Sequence, residues 1–502
     1  MVPAQRCKPK FTAGFTAWRT ILRAVAKPKT IYSCRECGAQ HPQWLGRCNE
    51  CGNWDSLDEE VVASAASRDA IPSQARDLLG MSGPGRHETS KIRTLGEIEP
   101  GDVPRLPSGI SELDRVLGGG FVPGSVVLLG GEPGVGKSTL ALQLAAQIDA
   151  ATKREGGGSR SVLYISGEES PEQIRLRSER LVEDGSGVAI LAETRVESFA
   201  DAWKELKPKV VIIDSVQTLQ TSRVESSPGS VAQVRESASL LAATAKLHGT
   251  TLVLVGHVTK DGSLAGPRVL EHLVDVVLNF EGDRNHAFRL LRASKNRFGS
   301  TQEVGVFSMV ETGLEAIENP SELFLAEHRD GAPGSCIIPL LEGSRPMLVE
   351  IQALVASATY GTPRRTTIGF DDGRVALILA VLDRRTPVEL VSRDVYVNVA
   401  GGVRIGETAA DLGLALAIAS SALDIALPAG TAACGEIGLG GEVRRVSRLD
   451  LRVRELGRLG FKQLLVPPGT RKAIKKSPCT LIEVESIANV VAWLQEAPIS
   501  RS

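Results

Sequence analysis

The amino-acid sequence predicts an α/β protein whose central domain is a mostly parallel sheet with helices on both faces. Short apolar runs at 126–130, 210–213 and 251–255 alternate with longer segments of helical pattern, as in strand–helix–strand units. A glycine-rich loop follows the first run and precedes a helical pattern. From about residue 332 a second alternation of strand and helix patterns predicts a further α/β domain.

Composition limits the classes of protein to which the chain can belong. Its 502 residues suffice for about three domains. Because 58 Lys and Arg residues nearly balance 59 Asp and Glu residues, any affinity for nucleic acid must come from a local patch. No apolar run is long and charge-free enough to span a bilayer, so we expect no membrane partner. Four of the eight Cys residues cluster early, which favours a reducing compartment with one metal site over a disulfide framework.

The first 30 residues carry seven Lys and Arg residues and no acid. A basic, acid-free start is compatible with an organellar targeting peptide or with a disordered extension. We favour the extension, because an ordered pattern begins only near residue 27, and we therefore expect a bacterial cytoplasmic protein.

The early cysteines form a C-x2-C pair, a spacer of ten residues and a second C-x2-C pair, and the four are Cys34, Cys37, Cys48 and Cys51. Two such pairs place four thiolates tetrahedrally around Zn²⁺, which is the closed arrangement of a structural site. We predict a zinc ribbon over residues 31–55, with Trp44, Leu45 and Trp54 as its small core, and a linker over 56–95. Whether the ribbon contacts protein or DNA stays open.

The central domain, predicted over 96–328, is organised around a phosphate-binding loop. The loop consists of Gly131, Glu132, Pro133, Gly134, Val135, Gly136, Lys137, Ser138 and Thr139. Its glycines allow backbone N–H groups to turn toward phosphates, and Lys137 adds a mobile positive charge. The helix that starts near Lys137 directs the positive end of its dipole to the same place. The pattern predicts binding of ATP.

Acidic residues at the ends of neighbouring strands complete the predicted site. Asp214 ends the run 210–213 and is expected to hold Mg²⁺ together with the Ser138 hydroxyl. Glu168 and Glu169 follow another apolar run, at the sheet edge where ligands bind in such folds. One of them must activate the attacking water, and we favour Glu168 because the other can cap the helix that begins at Pro171.

Three groups of residues resemble segments of known families. The loop, the Gly-Glu-Glu-Ser turn at 167–170 and the Ile-Ile-Asp-Ser strand at 212–215 resemble a RecA-type ATPase core. Residues 266–275 are similar to a segment of the KaiC branch, and 295–299 read Lys-Asn-Arg-Phe-Gly. Together with the four-cysteine ribbon, this combination resembles the bacterial RadA (Sms) family over roughly residues 27–495.

The resemblance implies an ATP-driven motor of recombinational DNA repair that forms a ring, expected to be hexameric. Its expected partners are single-stranded and branched DNA, whose branch points it would move, and a RecA-type recombinase. A KaiC-like module, in which ATP switches assembly without DNA translocation, is the alternative. An ATP-dependent protease is a third hypothesis.

Two cations follow a predicted hairpin at the sheet edge. The resemblance implies that Lys295 and Arg297 reach the γ-phosphate bound to the neighbouring subunit, where they would neutralise transition-state charge. A contact with DNA is the rival interpretation. Other DNA contacts are expected in the loops 221–230 and 260–268, through Arg223, Lys260 and Arg268, and these assignments rest largely on the resemblance.

The last domain, predicted over 332–498, resembles the Lon protease domain but lacks its Ser–Lys dyad. The chain reads Thr-Ala-Ala-Asp at 408–411, in the serine's place, and Ser-Arg-Leu-Asp at 447–450, in the lysine's place. Alanine carries no nucleophile, so we expect no peptidase activity. The domain is expected to pack subunits into the ring and to offer basic side chains to DNA, from Arg364, Arg365, Arg384, Arg385 and Arg393.

Overall fold

The computed structural model describes most of the chain and includes three sheets of three or more strands. The described residues are 29–34, 40–50, 52–54, 56–62, 104–156, 160–182, 187–257, 269–282, 288–325, 328, 331–358 and 362–496. Within these ranges, the helices are too short or too polar to cross a membrane.

The N-terminal unit is a three-stranded antiparallel sheet. Its strands are β1 (Lys29–Cys34), β2 (Gln40–His41) and β3 (Leu57–Val62), in the order β2-β1-β3. All six residues of β3 pair with β1. The predicted end of the ribbon at residue 55 is therefore wrong, because its third strand occupies the first part of the predicted linker.

The two ribbon tryptophans are not core residues, which corrects the prediction for them. Trp44 is 56% exposed and Trp54 is 74% exposed. Leu45 does pack inward, against Cys34, Cys48 and Leu57. The small core thus consists of Cys34, Cys48 and Leu57 with Tyr32 and Leu45 packed against them, and the two tryptophan rings lie outside.

The central domain is built on a nine-stranded sheet, in the order β12-β11-β10-β9-β4-β8-β7-β5-β6. Six strands are mutually parallel: β4 (Val126–Gly131), β5 (Val162–Ser166), β6 (Ala189–Ala192), β7 (Val210–Asp214), β8 (Thr251–Val255) and β9 (Val276–Glu281). Three antiparallel strands extend the sheet beyond β9: β10 (Phe288–Asn296), β11 (Val304–Val310) and β12 (Gly313–Ala316).

Helices cover both faces of this sheet, as predicted. They are α1 (Ser111–Leu117), α2 (Lys137–Arg154), α3 (Pro171–Leu181), α4 (Phe199–Leu206), α5 (Val231–His248) and α6 (Val269–Leu273). Alternation along the strands separates two apolar cores, because successive side chains point to opposite faces. Tyr164 and Ile212 pack with α2 on one face, whereas Leu163 and Ile213 pack with α4 and α5 on the other.

Strand β10 lies third from one end of the sheet, between β9 and β11. The predicted sheet-edge hairpin is therefore carried by a strand that lies inside the sheet. Residues 288–292 of this strand pair with β11 and residues 290–296 pair with β9, so the segment that holds Lys295 pairs with β9 and extends past β11. A bulge between Ala293 and Lys295 shifts the register against β9.

The C-terminal domain holds a seven-stranded mixed sheet in the order β15-β16-β14-β13-β17-β20-β21. Its elements follow a short helix, α7 (Pro320–Phe324), and form the second α/β unit that the sequence predicts. The strands are β13 (Ser335–Glu342), β14 (Arg345–Ser357), β15 (Arg365–Ile368), β16 (Arg393–Val399), β17 (Thr431–Ala433), β18 (Glu436–Ile437), β19 (Val443–Arg444), β20 (Gln463–Val466) and β21 (Thr480–Glu483). The helices are α8 (Asp372–Arg385), α9 (Asp411–Leu423), α10 (Leu449–Arg458), α11 (Thr470–Ala473) and α12 (Ile487–Glu496).

The two α/β domains share an apolar contact. Val306 of β11 belongs to the same buried cluster as Met347 and Val349 of β14, and Phe288 of β10 packs against that cluster. An ion pair also crosses the boundary between the domains, since Arg292 contacts Glu342 at 2.6 Å. The extension of the central sheet by β10 and β11 is what brings the two domains together.

Candidate active site

The parallel strands bring three of the predicted catalytic residues, Lys137, Glu168 and Asp214, to one edge of the central sheet. Ser166 pairs with Asp214 and Asp214 pairs with Val255, so β5, β7 and β8 end side by side. Leu129 pairs with Val255, which places the loop after β4 at the same edge. Parallel pairing therefore gathers the ends of four strands that are far apart in the sequence.

The phosphate-binding loop has the local conformation that its glycines predict. Gly136 precedes α2 with φ of 112°, a left-handed conformation that favours glycine. Gly131 is needed for close approach, since a Cβ atom there would lie 2.5 Å from the Phe280 carbonyl oxygen of β9. Val135 is buried, whereas Glu132 and Pro133 are exposed. The helix α2 begins at Lys137, so its dipole is directed at the loop as predicted.

Lys137 is the charged centre of this loop. Its Nζ atom donates to the carbonyl oxygens of Gly131 at 2.8 Å and of Glu132 at 2.9 Å. Burial lowers the pKa of Lys137 to about 8, while the negative charges of Asp214 and Glu168 act in the opposite direction. A bound anion such as a triphosphate would favour the charged form of this ammonium group, against the effect of burial.

Asp214 has the surroundings of a metal-binding carboxylate. It is buried at the end of β7, and its Oδ2 atom accepts a hydrogen bond of 2.7 Å from the Tyr164 hydroxyl. Hydroxyl and carboxylate oxygens are the ligands that Mg²⁺ prefers, so the predicted pair of Ser138 and Asp214 fits this ion chemically. Burial raises the pKa of Tyr164 well above its usual value, and the Asp214 charge acts in the same direction.

Glu168 and Glu169 have different partners, although they are adjacent in sequence. The Glu168 carboxylate accepts a 2.6 Å bond from the Ser215 hydroxyl and lies 3.8 Å from His257 Nε2. Glu169 instead forms an ion pair with Arg177 at 3.0 Å. The carboxylate of Glu168 thus faces residues that follow β7 and β8, whereas the carboxylate of Glu169 is held by Arg177 of helix α3. This difference supports Glu168 as the base.

Three residues near this site were not in the predicted set. Tyr164, Ser215 and His257 surround the two carboxylates, at the distances given above. Ser215 directly follows the end of β7 and His257 lies two residues after the end of β8, and both positions can be recognised in the sequence. Tyr164 carries a polar group in the middle of an apolar strand, and only the three-dimensional pairing of β5 with β7 reveals what that group contacts.

Lys295 and Arg297 lie near the amino-terminal ends of the parallel strands, whereas the phosphate-binding loop lies at their carboxyl ends. Strand β10 runs antiparallel to β9, so Asn296 pairs with Val276 at the start of β9, whereas Gly131 of the loop pairs with Phe280 near its end. Lys295 Nζ donates to the carbonyl oxygens of Glu271 and Val274, both at 2.7 Å. Burial lowers the pKa of Lys295, and neighbouring Arg297 lowers it further.

Arg297 is the more accessible of the two cations. Its side chain is 54% exposed and contacts Asp275 Oδ1 at 3.0 Å. Lys246 approaches the same oxygen at 3.7 Å. Asp275 Oδ2 accepts a hydrogen bond from the Val126 backbone N–H, at the beginning of β4. The carboxylate therefore holds Arg297 against the start of the strand that carries the loop at its other end.

Only part of the predicted DNA-binding surface falls among the described residues. Arg223 forms an ion pair with Glu236 at 2.9 Å. The loop around it is held by Gln233, whose Nε2 donates to the carbonyl oxygens of Val224 and Ser226 at 2.8 and 3.0 Å. Lys260 and Arg268 lie outside the described residues.

The zinc ribbon presents one cysteine of each pair in the described residues. Cys34 ends β1 and Cys48 follows in a turn, and both are buried in one cluster. In that turn, Gly52 N–H donates to the Cys48 carbonyl at 2.9 Å, with Gly52 at φ of 76°. The buried sulfur atoms and the left-handed turn fit a metal site of thiolates. His41 Nε2 lies 3.5 Å from Cys48 Sγ, a contact that the sequence pattern did not predict. Cys37 and Cys51 lie outside the described residues.

In the C-terminal domain, the residues at the two predicted dyad positions contact other side chains or are buried. Ala409 and Ala410 are buried just before α9, and buried Asp411 is paired with Arg374. Thr408 Oγ1 donates to Glu436 at 2.8 Å. Asp450 is exposed and pairs with Arg454 at 3.0 Å.

Two of the basic residues predicted to face DNA donate hydrogen bonds to backbone carbonyls within their own domain. Arg365 donates to Leu390, and Arg393 donates to Ala422.

Comparisons with known proteins agree with this arrangement. A family model described as an AAA domain matches residues 93–263, and one described as a rubredoxin metal binding domain matches residues 32–59. The chain is 46% identical over 474 residues to the DNA repair protein RadA of Bacillus subtilis (strain 168), covering 94% of this chain and 99% of the relative. The RadA proteins of Brucella abortus (strain 2308) and Pseudomonas aeruginosa (strain PAO1) are 48% and 46% identical, over 93% and 91% of this chain and 98% and 96% of the relatives.

Proposed function

Because the chain belongs to the family of bacterial DNA repair proteins named RadA, we propose that it is a DNA-dependent ATPase of recombinational DNA repair. In this proposal it assembles into a ring, with six subunits expected. The ring binds single-stranded and branched DNA, and the energy of hydrolysis moves the branch point. The bacterial cytoplasm is the proposed location, because a reducing compartment suits a thiolate metal site.

The observation that carries the proposal is the opposite placement of two sets of charged residues on one sheet. Lys137, Glu168 and Asp214 belong to the loops at one edge, whereas Arg297 lies beside Asp275 at the other. Arg297 is thus far from the loop of its own chain, and its side chain is 54% exposed. A head-to-tail arrangement of identical chains would bring Arg297 of one chain to the nucleotide of the next.

The chemistry of each residue follows from its surroundings. Backbone N–H groups of the loop and the Lys137 ammonium group bind the phosphates of ATP. Ser138 and Asp214 hold Mg²⁺, which when bound neutralises charge on the phosphate oxygens. Glu168 orients and deprotonates the attacking water, while Lys295 and Arg297 of the neighbouring chain stabilise the charge of the transition state.

DNA contacts are proposed for the loops that follow β7 and β8. Arg223 pairs with a single glutamate that is itself partly exposed, so a phosphate group can compete for it. Lys260 and Arg268 are assigned to the same surface by the family resemblance. The zinc ribbon is proposed to contact a macromolecular partner, for which a RecA-type recombinase is the candidate.

The C-terminal domain is proposed to lack peptidase activity and to hold the subunits together. Buried Ala409 and Ala410 offer no nucleophile, and the ion pair of Asp411 with Arg374 occupies the start of α9. Incubation with casein tests this part. We expect no digestion, whereas digestion that a serine-directed reagent blocks would contradict it.

The central proposal is tested by ATP hydrolysis with and without single-stranded DNA. We expect DNA to increase turnover and the protein to move the junction of a branched substrate. If DNA changes neither turnover nor oligomeric state, the motor proposal fails. ATP-dependent assembly that is indifferent to DNA would instead favour the KaiC-like switch.

The shared site is tested by mixing two inactive variants. Lys137→Ala removes the phosphate-binding cation, whereas Arg297→Ala leaves nucleotide binding intact but removes the cation offered to a neighbour. Each alone is expected to be inactive, and the mixture should recover part of the hydrolysis, because one interface then combines both intact groups. Lys246→Ala is the matched control, since it removes the other cation at Asp275. An inactive mixture of co-assembled variants would refute the shared site.

A further inference from the structure

We propose that Tyr164 is a positioning residue that orients the Asp214 carboxylate for Mg²⁺, and that Arg177 of helix α3 holds Tyr164 in this position. The inference rests on the proposed function in one respect, because it takes Asp214 as a ligand of Mg²⁺. The experiment below separates the failure of that assumption from the failure of the inference itself.

Strand pairing brings the phenol to the carboxylate. Tyr164 is directly opposite Ile212 in the ladder between β5 and β7, and Ser166 is opposite Asp214. Tyr164 and Asp214 therefore point to the same face of the sheet, two residues apart along the strands. The Tyr164 side chain is fully buried, and its hydroxyl lies 2.7 Å from Asp214 Oδ2.

The chemistry of the two groups determines the direction of this hydrogen bond. A carboxylate oxygen accepts hydrogen bonds, so the Tyr164 hydroxyl donates and Asp214 Oδ2 accepts. A donor at Oδ2 restrains rotation of the carboxylate and leaves Oδ1 for a hydrated cation. Partners of this kind orient metal ligands in many proteins, where they affect metal affinity without touching the metal.

Arg177 extends the contact to the surface of the domain. Its NH2 group donates to the Tyr164 hydroxyl at 3.4 Å, and its NH1 group pairs with Glu169 at 3.0 Å. The hydroxyl thus accepts from Arg177 while it donates to Asp214, and each bond polarises the other.

Helix α3 determines where Arg177 lies. The helix starts at Pro171 with a capping box of Ser170 and Gln173, directly after Glu168 and Glu169. Ile174 is its one fully buried residue among those described. Ile174 and the partly buried Leu181 anchor this helix in the apolar core, and the Arg177 bonds connect it to Tyr164. Displacement of α3 would therefore reach the metal ligand through Tyr164.

A purely structural role for Tyr164 makes a different prediction. Phenylalanine would fill the same space in the apolar core that Tyr164 shares with Ile212 and α2. If the ring alone matters, Tyr164→Phe should leave the Mg²⁺ requirement unchanged. If the hydroxyl orients Asp214, the variant should require more Mg²⁺ while nucleotide binding without metal stays the same.

The test is the Mg²⁺ concentration that gives half-maximal ATP hydrolysis, measured on the full chain beside nucleotide binding in EDTA. For Tyr164→Phe we expect this concentration to rise by roughly 10- to 100-fold. For Arg177→Leu we expect a smaller rise. Tyr396→Phe removes a hydroxyl from β16 in the other domain and should cause no change. An unchanged Mg²⁺ requirement in Tyr164→Phe would overturn the inference, and an unchanged requirement in Arg177→Leu alone would overturn the part assigned to Arg177.

Asp214→Asn distinguishes the two ways in which the idea can fail. If this variant leaves the Mg²⁺ requirement unchanged, Asp214 is not a metal ligand and the inference fails with that assignment. If Asp214→Asn raises the requirement but Tyr164→Phe does not, the positioning role alone fails. In the Asp214→Asn background, Tyr164→Phe should add no further rise, and a full additional rise would overturn the proposed route through Asp214.

Discussion

Glu112 and Arg345 form an ion pair that is buried between the central and C-terminal domains. Glu112 lies in α1 and Arg345 opens β14, and both side chains are almost fully enclosed. Glu112 Oε2 also accepts from the Val306 backbone N–H at 2.9 Å, and Arg345 donates to the carbonyl of Glu318 at 2.7 Å. The pair and its hydrogen bonds fix the angle at which the two domains meet.

Arg345→Met is therefore expected to destabilise the protein strongly. Removal of one partner leaves the buried Glu112 charge uncompensated, which costs about 3–5 kcal/mol. A thermal unfolding scan should show a large decrease in midpoint. Arg115→Ala is the control, because Arg115 pairs with the same carboxylate from an exposed position and should cost about 1 kcal/mol or less. Equal effects of the two variants would contradict this view of the boundary.

Glu168→Gln is expected to abolish ATP turnover while nucleotide binding persists. The amide keeps the shape of the side chain but cannot accept a proton from water, so turnover should fall by about 10²–10⁴-fold. Steady-state hydrolysis and fluorescent nucleotide binding measure the two effects. Glu169→Gln is the matched control and should retain more turnover, because Glu169 contacts Arg177. A greater loss in Glu169→Gln would reverse the assignment of the base.

Cys48→Ser should release the metal of the ribbon. Cys48 is buried with Cys34, and an oxygen in place of one sulfur removes a ligand that Zn²⁺ prefers. We expect elemental analysis to find about one zinc per chain in the unaltered protein and little in the variant. Nucleotide binding should persist, because the phosphate-binding loop belongs to the nine-stranded sheet of the central domain. Zinc retained at the original stoichiometry would show that Cys48 is not a ligand.

The buried thiols of the C-terminal domain should be inert in the native protein. Burial raises the pKa of Cys434 to about 12 and raises that of Cys336 well above its usual value. At pH 8 both are therefore protonated, and the thiolate is the reactive species. Peptide mapping after iodoacetamide treatment should find them unmodified until the protein is unfolded. Rapid native labelling of Cys434 would contradict its burial.

Local patterns were sufficient to predict the phosphate-binding loop and the parallel sheet around it. The loop signature depends on consecutive residues, and strands such as β7 are continuous apolar runs, which is typical of strands buried on both faces. The same local information favoured Glu168 over Glu169, and the contact of Glu169 with Arg177 supplies a reason for that choice.

Features that depend on distant pairing were not predictable in the same way. Strand β3 pairs with β1 across a gap of more than twenty residues, and the residues of β3 alone do not indicate which strand it pairs with. Trp44 and Trp54 were assigned to a core by their chemistry alone, but a unit this small has no interior large enough for them. The position of β10 inside the sheet likewise follows from β11 pairing beyond it.

The close approach of Gly131 to β9 affects how variants of the loop must be interpreted. Because a methyl group at this position would overlap the Phe280 carbonyl, alanine there would force β4 and β9 apart. A defect in ATP binding by Gly131→Ala would consequently report a shifted strand, and it would carry no information about a contact with phosphate. For this first glycine of the signature, sheet packing alone is a sufficient reason for the absence of a side chain.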